Sequence, residues 1–132
     1  MKIIRLGLAA PLMAASLAAC SGASPLESDF NLVGTEPFWA IQISNETKMS
    51  KVSRPGSADM DAAYPVASKA EGGATILTIQ SPEGDLVVTM HKKQCLDGMS
   101  DREYPWQASV AFKGQTLKGC GASKQFISEH PQ

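Results

Sequence analysis

The stretch ATILTIQSPEGDLVVTMHK, residues 74–92, decides the fold. Its first seven residues are mostly β-branched or apolar, the types that fit a pleated, half-buried surface, and LVVTMHK (86–92) repeats the pattern. Between them SPEGD (81–85) supplies a proline and a glycine where the backbone must reverse. Two such runs joined by such a turn form an antiparallel hairpin. Working outward, the pattern recurs on both sides. Upstream, Glu71-Gly72-Gly73 turns back to a weaker strand at 64–69, and RPGSA (54–58) separates that from a strand at 48–53. The turn Asn45-Glu46 leads back to FWAIQIS (38–44), which places Trp39, Ile41 and Ile43 on one face and Phe38, Ala40 and Gln42 on the other. Downstream, WQASVAF (106–112) sets Trp106, Ala108, Val110 and Phe112 together, and Lys113-Gly114-Gln115 turns into a strand at 116–120. From Gly121 the alternation stops, and 124–128 fits a helical turn. About seven short strands without a long amphipathic helix predict an all-β fold, a small antiparallel barrel or sandwich, since closure removes exposed edges.

With 132 residues there is room for one domain. A composition of 43% hydrophobic and 19% charged residues is that of a globular chain, and a formal charge of −1 leaves no basic field for nucleic acid. The sequence has no internal repeat and no low-complexity run.

The N-terminus differs in kind. Lys2 and Arg5 precede an uncharged Ala- and Leu-rich run at 6–19, too short for a permanent membrane span, which predicts a secretion signal. It ends in Leu17-Ala18-Ala19-Cys20, which resembles the lipobox of bacterial lipoproteins. The chemistry suits these residues. Small side chains admit the backbone to a peptidase cleft, and a cysteine thiolate is nucleophilic enough to take up a diacylglycerol group as a thioether. The resemblance implies cleavage before Cys20 and acylation of the new amino group. With about 0.8 kcal/mol per buried CH₂, several acyl chains hold a protein at a membrane. The alternative is an ordinary signal peptide cut near Ala19, which would leave Cys20 a free thiol. In resembling lipoproteins of Gram-negative cells an Asp after the lipidated Cys commonly retains the protein at the inner membrane, and Ser21 in its place implies the outer membrane, facing the periplasm. The chain thus divides into a signal at 1–19, a lipidated polar tether at 20–29 and a β domain at 30–132, the processed chain carrying a formal −3.

Two further cysteines, Cys95 and Cys120, are expected to form a disulfide in an oxidising compartment. Closing that loop stabilises by roughly 3.5 kcal/mol on the chain-entropy account. The metal-pair alternative lacks companions, because only His91 lies near Cys95, His130 is in the tail, and no C-x-x-C exists. No metal and no cofactor is expected.

Two segments could carry chemistry. In GTEPFW (34–39), Pro37 removes a donor and favours an extended Glu36, launching a strand from a bend. A carboxylate beside aromatic surface is one way to make an acid catalyst, while the plainer reading pairs Glu36 with a base and buries Trp39. In CLDGMSDREYPW (95–106), Asp97, Asp101 and Glu103 suggest a cation, but their spacing is not that of a calcium loop. The plainer reading makes Asp97-Gly98 a turn and Arg102 an ion-pair partner, with Glu36 the expected mate. GTEPFW, C-x-DGMSD-x-x-YP and L-x-GC, in that order over residues 33–121, resemble a family of small, uncharacterised bacterial envelope proteins, many of them lipoproteins. On that resemblance Glu36, Trp39, Asp97, Asp101, Arg102, Tyr104 and the two cysteines are the family-typical positions.

The resulting expectation is a lipid-anchored, non-enzymatic binding or scaffolding domain whose partners are the membrane, through its anchor, and an envelope protein or small ligand. One alternative is an envelope enzyme using Glu36 or Asp101 as acid or base on a cell-wall or other envelope substrate. Another is an inhibitor of C-type lysozyme, a class it resembles in size, anchor, barrel and disulfide but not in the inhibitory loops. Neither G-x-S-x-G nor a phosphate-cradling glycine loop is present.

Overall fold

The computed structural model describes residues 27–53 and 62–131, so the signal, Cys20, most of the tether and the break at 54–58 lie outside the described residues. Eight antiparallel strands close into a barrel: β1 (Phe30–Thr35), β2 (Phe38–Ser44), β3 (Met49–Ser53), β4 (Ala63–Glu71), β5 (Ala74–Ser81), β6 (Gly84–His91), β9 (Trp106–Phe112) and β10 (Gln115–Ser123). Neighbours follow chain order, β6 pairs with β9, and β10 returns to β1. Between β6 and β9 the chain makes an excursion in which β7 (Cys95–Leu96) pairs with β8 (Glu103–Tyr104), and α1 (Lys124–Glu129) follows β10. The Cys95–Cys120 disulfide is formed.

The alternation read from the sequence is the alternation of the wall. Leu32, Ile41, Leu77, Ile79, Val88, Met90 and Val110 point inward and are almost wholly shielded. At eight strands a barrel interior is just wide enough for side chains to fill, and this one is filled. The space left among Trp39, Ile41, Leu86, Val110 and Phe112 is about 20 Å³, too small for an organic ligand. Binding chemistry therefore belongs to the outside.

Eight barrel strands stand where about seven were expected. The additional one is β1, whose inward positions are Phe30, Leu32 and Gly34. A glycine at the third position shortens the apolar alternation to two residues and hides the strand. β10 also runs three residues past Cys120, its inward positions Gly119 and Gly121 again bearing no side chain. Both gaps have one explanation. The Trp39 indole lies over Gly34 and Gly119, and a Cβ on either would collide with it. Its Nε1 donates to the Lys118 carbonyl at 3.2 Å. At Gly121 a Cβ would strike Leu32 and Phe30. The strands that close the barrel are thus thinned to admit large rings.

GTEPFW is a hairpin crossing with strand on both sides. Thr35 faces Phe38, and Glu36-Pro37 between them is joined by a cis peptide bond, the proline arrangement of a type VI turn. At the opposite end Asp29, last residue of the expected tether, is built into the fold. Its carboxylate accepts from the Asn45 amide at 3.0 Å and its carbonyl from the Lys124 amide at 2.9 Å. The helical turn is present, with Ser123 Oγ accepting from the Phe126 amide as its cap.

Candidate functional site: an ear on the barrel wall

Leaving β6 at His91, residues 92–105 fold back along the outer wall as an ear. Two links hold it near β7. The disulfide staples β7 to the outward side of β10 with Cα atoms 5.6 Å apart, and Thr35 Oγ1 donates to the Asp97 carbonyl at 2.9 Å. Beneath the ear Tyr104, Cys120 and Ala122 form a second small core with Val33, Phe126 and Ile127. The β1–β2 turn and the ear, far apart in sequence, meet at that Thr35–Asp97 contact.

Asp97 shapes the tip. One carboxylate oxygen accepts from the amides of Met99 (2.9 Å) and Ser100 (2.8 Å), the other from Ser100 Oγ (3.0 Å). Gly98 between them sits at φ +77°, where glycine alone is comfortable. Burial by itself raises the Asp97 pKa, but the amides of Ser100 and Met99, with help from the Ser100 and Tyr104 hydroxyls, hold it below the usual carboxylate range. A depressed folded value means stabilisation fully present above the unfolded pKa and lost as pH falls through the folded one. Melting temperature measured from neutral pH down to about pH 2 should therefore show Asp97→Asn less stable than wild type at neutrality, with the gap closing in acid. A gap independent of pH would contradict this role.

Arg102 departs from expectation. Its Nε donates to the His130 carbonyl at 2.9 Å and Nη1 to the Tyr104 hydroxyl at 3.3 Å, while the guanidinium carbon lies 5.7 Å from the Tyr104 ring centre. Among the described residues Glu36 and Arg102 form no ion pair, because Arg102 faces the C-terminal segment and Glu36 stands exposed on the β1–β2 turn. Trp39 is in the core at 2% exposure and Tyr104 is buried. Of the six candidate binding positions, two are therefore packed, Asp97 and Arg102 are tied into the ear, and Glu36 and Asp101 are open to solvent.

Sequence reading missed the most exposed apolar side chains. Phe38, Leu96 and Met99 are 60%, 66% and 78% exposed. They form one neighbourhood: Phe38 pairs with Thr35, Thr35 bonds Asp97, and Leu96 and Met99 flank Asp97. Glu36, on the same turn as Phe38, and Glu103, directly opposite Leu96, lie beside it, and among the described residues neither has an ion-pair partner.

Two clefts border the ear. A groove of about 490 Å³ runs over the outward faces of β6, β9 and β10, floored by His91, Gln107, Ser109 and Lys118 and walled by Leu96 and Asp97. A second, of about 640 Å³, lies between the ear and α1 and is bordered by Asp101, Arg102, Tyr104, Phe126 and His130. Asp97 and Asp101 therefore open to different clefts, and among the described residues no three His, Cys, Asp or Glu side chains gather as metal ligands.

Fold and site together define a filled, eight-stranded up-and-down barrel bearing a disulfide-stapled ear. Compared with family models, with curated proteins and with solved structures, the chain has no match in any of the three.

Proposed function

We propose that the protein is a lipid-anchored domain of the bacterial envelope, attached through Cys20 to the outer membrane and facing the periplasm, which binds a partner protein at the tip of its ear and catalyses no reaction. The observation that carries this reading is the concentration of Phe38, Leu96 and Met99 on one acidic-rimmed spot. Apolar side chains grouped in this way cost solvation unless covered, and an apolar centre with a polar rim is the anatomy of a protein interface. The carboxylates at the rim suit a partner whose contacting surface is basic. The tip stands at the barrel end opposite Asp29, as suits a surface turned away from an anchor. For the enzyme alternative, neither of these two clefts brings Glu36 and Asp101 together: Asp101 borders the one beside α1 and Glu36 borders neither. The inhibitor alternative makes its own demand, slowed cell-wall lysis when the protein is in stoichiometric excess over C-type lysozyme.

Two measurements test the proposal. Cys20→Ala should move the protein from the membrane fraction into the soluble periplasm. A photo-crosslinking residue at position 99 in living cells should give a discrete adduct that Leu96→Asp removes, whereas the same residue at position 69, on an exposed part of β4, gives none. Equal adducts from both positions, or wild-type and Cys20→Ala proteins fractionating alike, would refute the respective half.

A further inference from the structure

We propose that the cleft between the ear and α1 binds a neutral saccharide ring. The cleft does not depend on the anchor, and the only residue it shares with the rim of the tip is Glu103. One side is a ring stack: Phe126 and His130, one helical turn apart, pack face to face with centres 4.1 Å apart and planes 17° from parallel, so half-buried Phe126 backs an exposed imidazole. The His130 amide donates to the Phe126 carbonyl at 3.0 Å, so the pair is set before any ligand arrives and little ordering is left to binding. Gln94, Asp101, Arg102 and Glu103 line the same cleft. Arg102 commits two of its five donors, to His130 and Tyr104, which leaves N–H groups for a ligand. Asp101 and Glu103 are exposed acceptors.

Elimination then narrows the ligand. Two carboxylates beside one guanidinium disfavour an anion, and the guanidinium disfavours a cation held close to it. A wholly apolar ligand would strip water from four polar side chains without replacing their hydrogen bonds. A pyranose meets every requirement, because its hydroxyls both accept from Arg102 and Gln94 and donate to Asp101 and Glu103. Its axial C–H face suits the exposed imidazole of His130, which Phe126 holds from behind. The cleft volume of about 640 Å³ is within the range of small-molecule sites.

The test uses the full chain in detergent micelles, titrated with N-acetylchitotriose and with maltotriose and followed by the ¹H–¹⁵N signals of the Gln94 amide and Arg102 Nε. Saturable shifts confined to the cleft are expected, with Kd of order 1 mM for so open a site. Gln94→Ala, a surface change that leaves the fold intact, should weaken binding about 3- to 10-fold, and Arg102→Lys, which keeps charge but loses the planar fork, at least as much. Phe126→Ala should abolish it, and if that variant unfolds the first two carry the test. Absence of cleft shifts with both sugars at about 50 mM, affinity unchanged in Gln94→Ala, or the same shifts with acetate would overturn the proposal.

Discussion

Trp39→Ala is expected to destabilise the barrel by about 3 to 5 kcal/mol, read as a lower urea midpoint at unchanged slope. The side chain is 2% exposed and does three things at once. It fills the interior, it donates to the Lys118 carbonyl, and it covers Gly34 and Gly119 on the two strands that meet to close the barrel. Those glycines cannot fill the space it leaves, so the cavity stays and the cost sits at the upper end for a core truncation. The converse change reaches the same place by crowding. Gly119→Ala would drive a Cβ against the Val33 carbonyl and the indole ring, and the carbonyl belongs to backbone that cannot swing aside. A loss below about 1 kcal/mol for Trp39→Ala would mean that the indole does not seal this seam.

The paired change Cys95→Ala and Cys120→Ala should remove roughly 3.5 kcal/mol, given the 25-residue separation of the cysteines, but its structural effect is local. β7 and β8 are two residues each and contribute little pairing of their own. Without the disulfide the ear keeps the Thr35–Asp97 contact, the hydrogen bonds of Arg102 to the His130 carbonyl and of Gln107 to the Gln94 carbonyl, and the small core around Tyr104. Barrel circular dichroism should persist while amide exchange rises through residues 92–105, and the crosslink from position 99 should fail. If exchange in the ear stayed as slow as in wild type, the disulfide would not be what holds it. The two variants thus separate barrel closure from the ear.

What the sequence made legible follows from which forces are local. The hairpin of β5 and β6 could be read because period-two alternation and a Pro-Glu-Gly turn lie within twenty consecutive residues. The inward face of β2 was legible for the same reason, and with it the burial of Trp39. β1 was not, since Gly34 serves a ring on the next strand and contributes no apolar signal of its own. The ear was half legible. Cys95 and Cys120 announced a staple, and Asp97-Gly98 announced a turn, but the partner of Arg102 is a backbone carbonyl 28 residues away, which no side-chain pattern encodes. Leu96 and Met99 carry the composition of a core and lie on the surface, because the short strands around them have no second layer to cover that side. The stack at Phe126 and His130 needed the helix as well as its contact with the ear, and only the helical turn could be anticipated.

The attachment at Asp29 governs how the domain answers force. The chain joins β1 at a residue clamped on one side to the β2–β3 turn and on the other to the start of α1. A pull on the leading segment directed along β1 loads its ladders to β2 and β10 together, and both must slip before the strand can move. Loaded in shear between two neighbours, the barrel resists extraction far better than it would if the same strand could be peeled away one bond at a time.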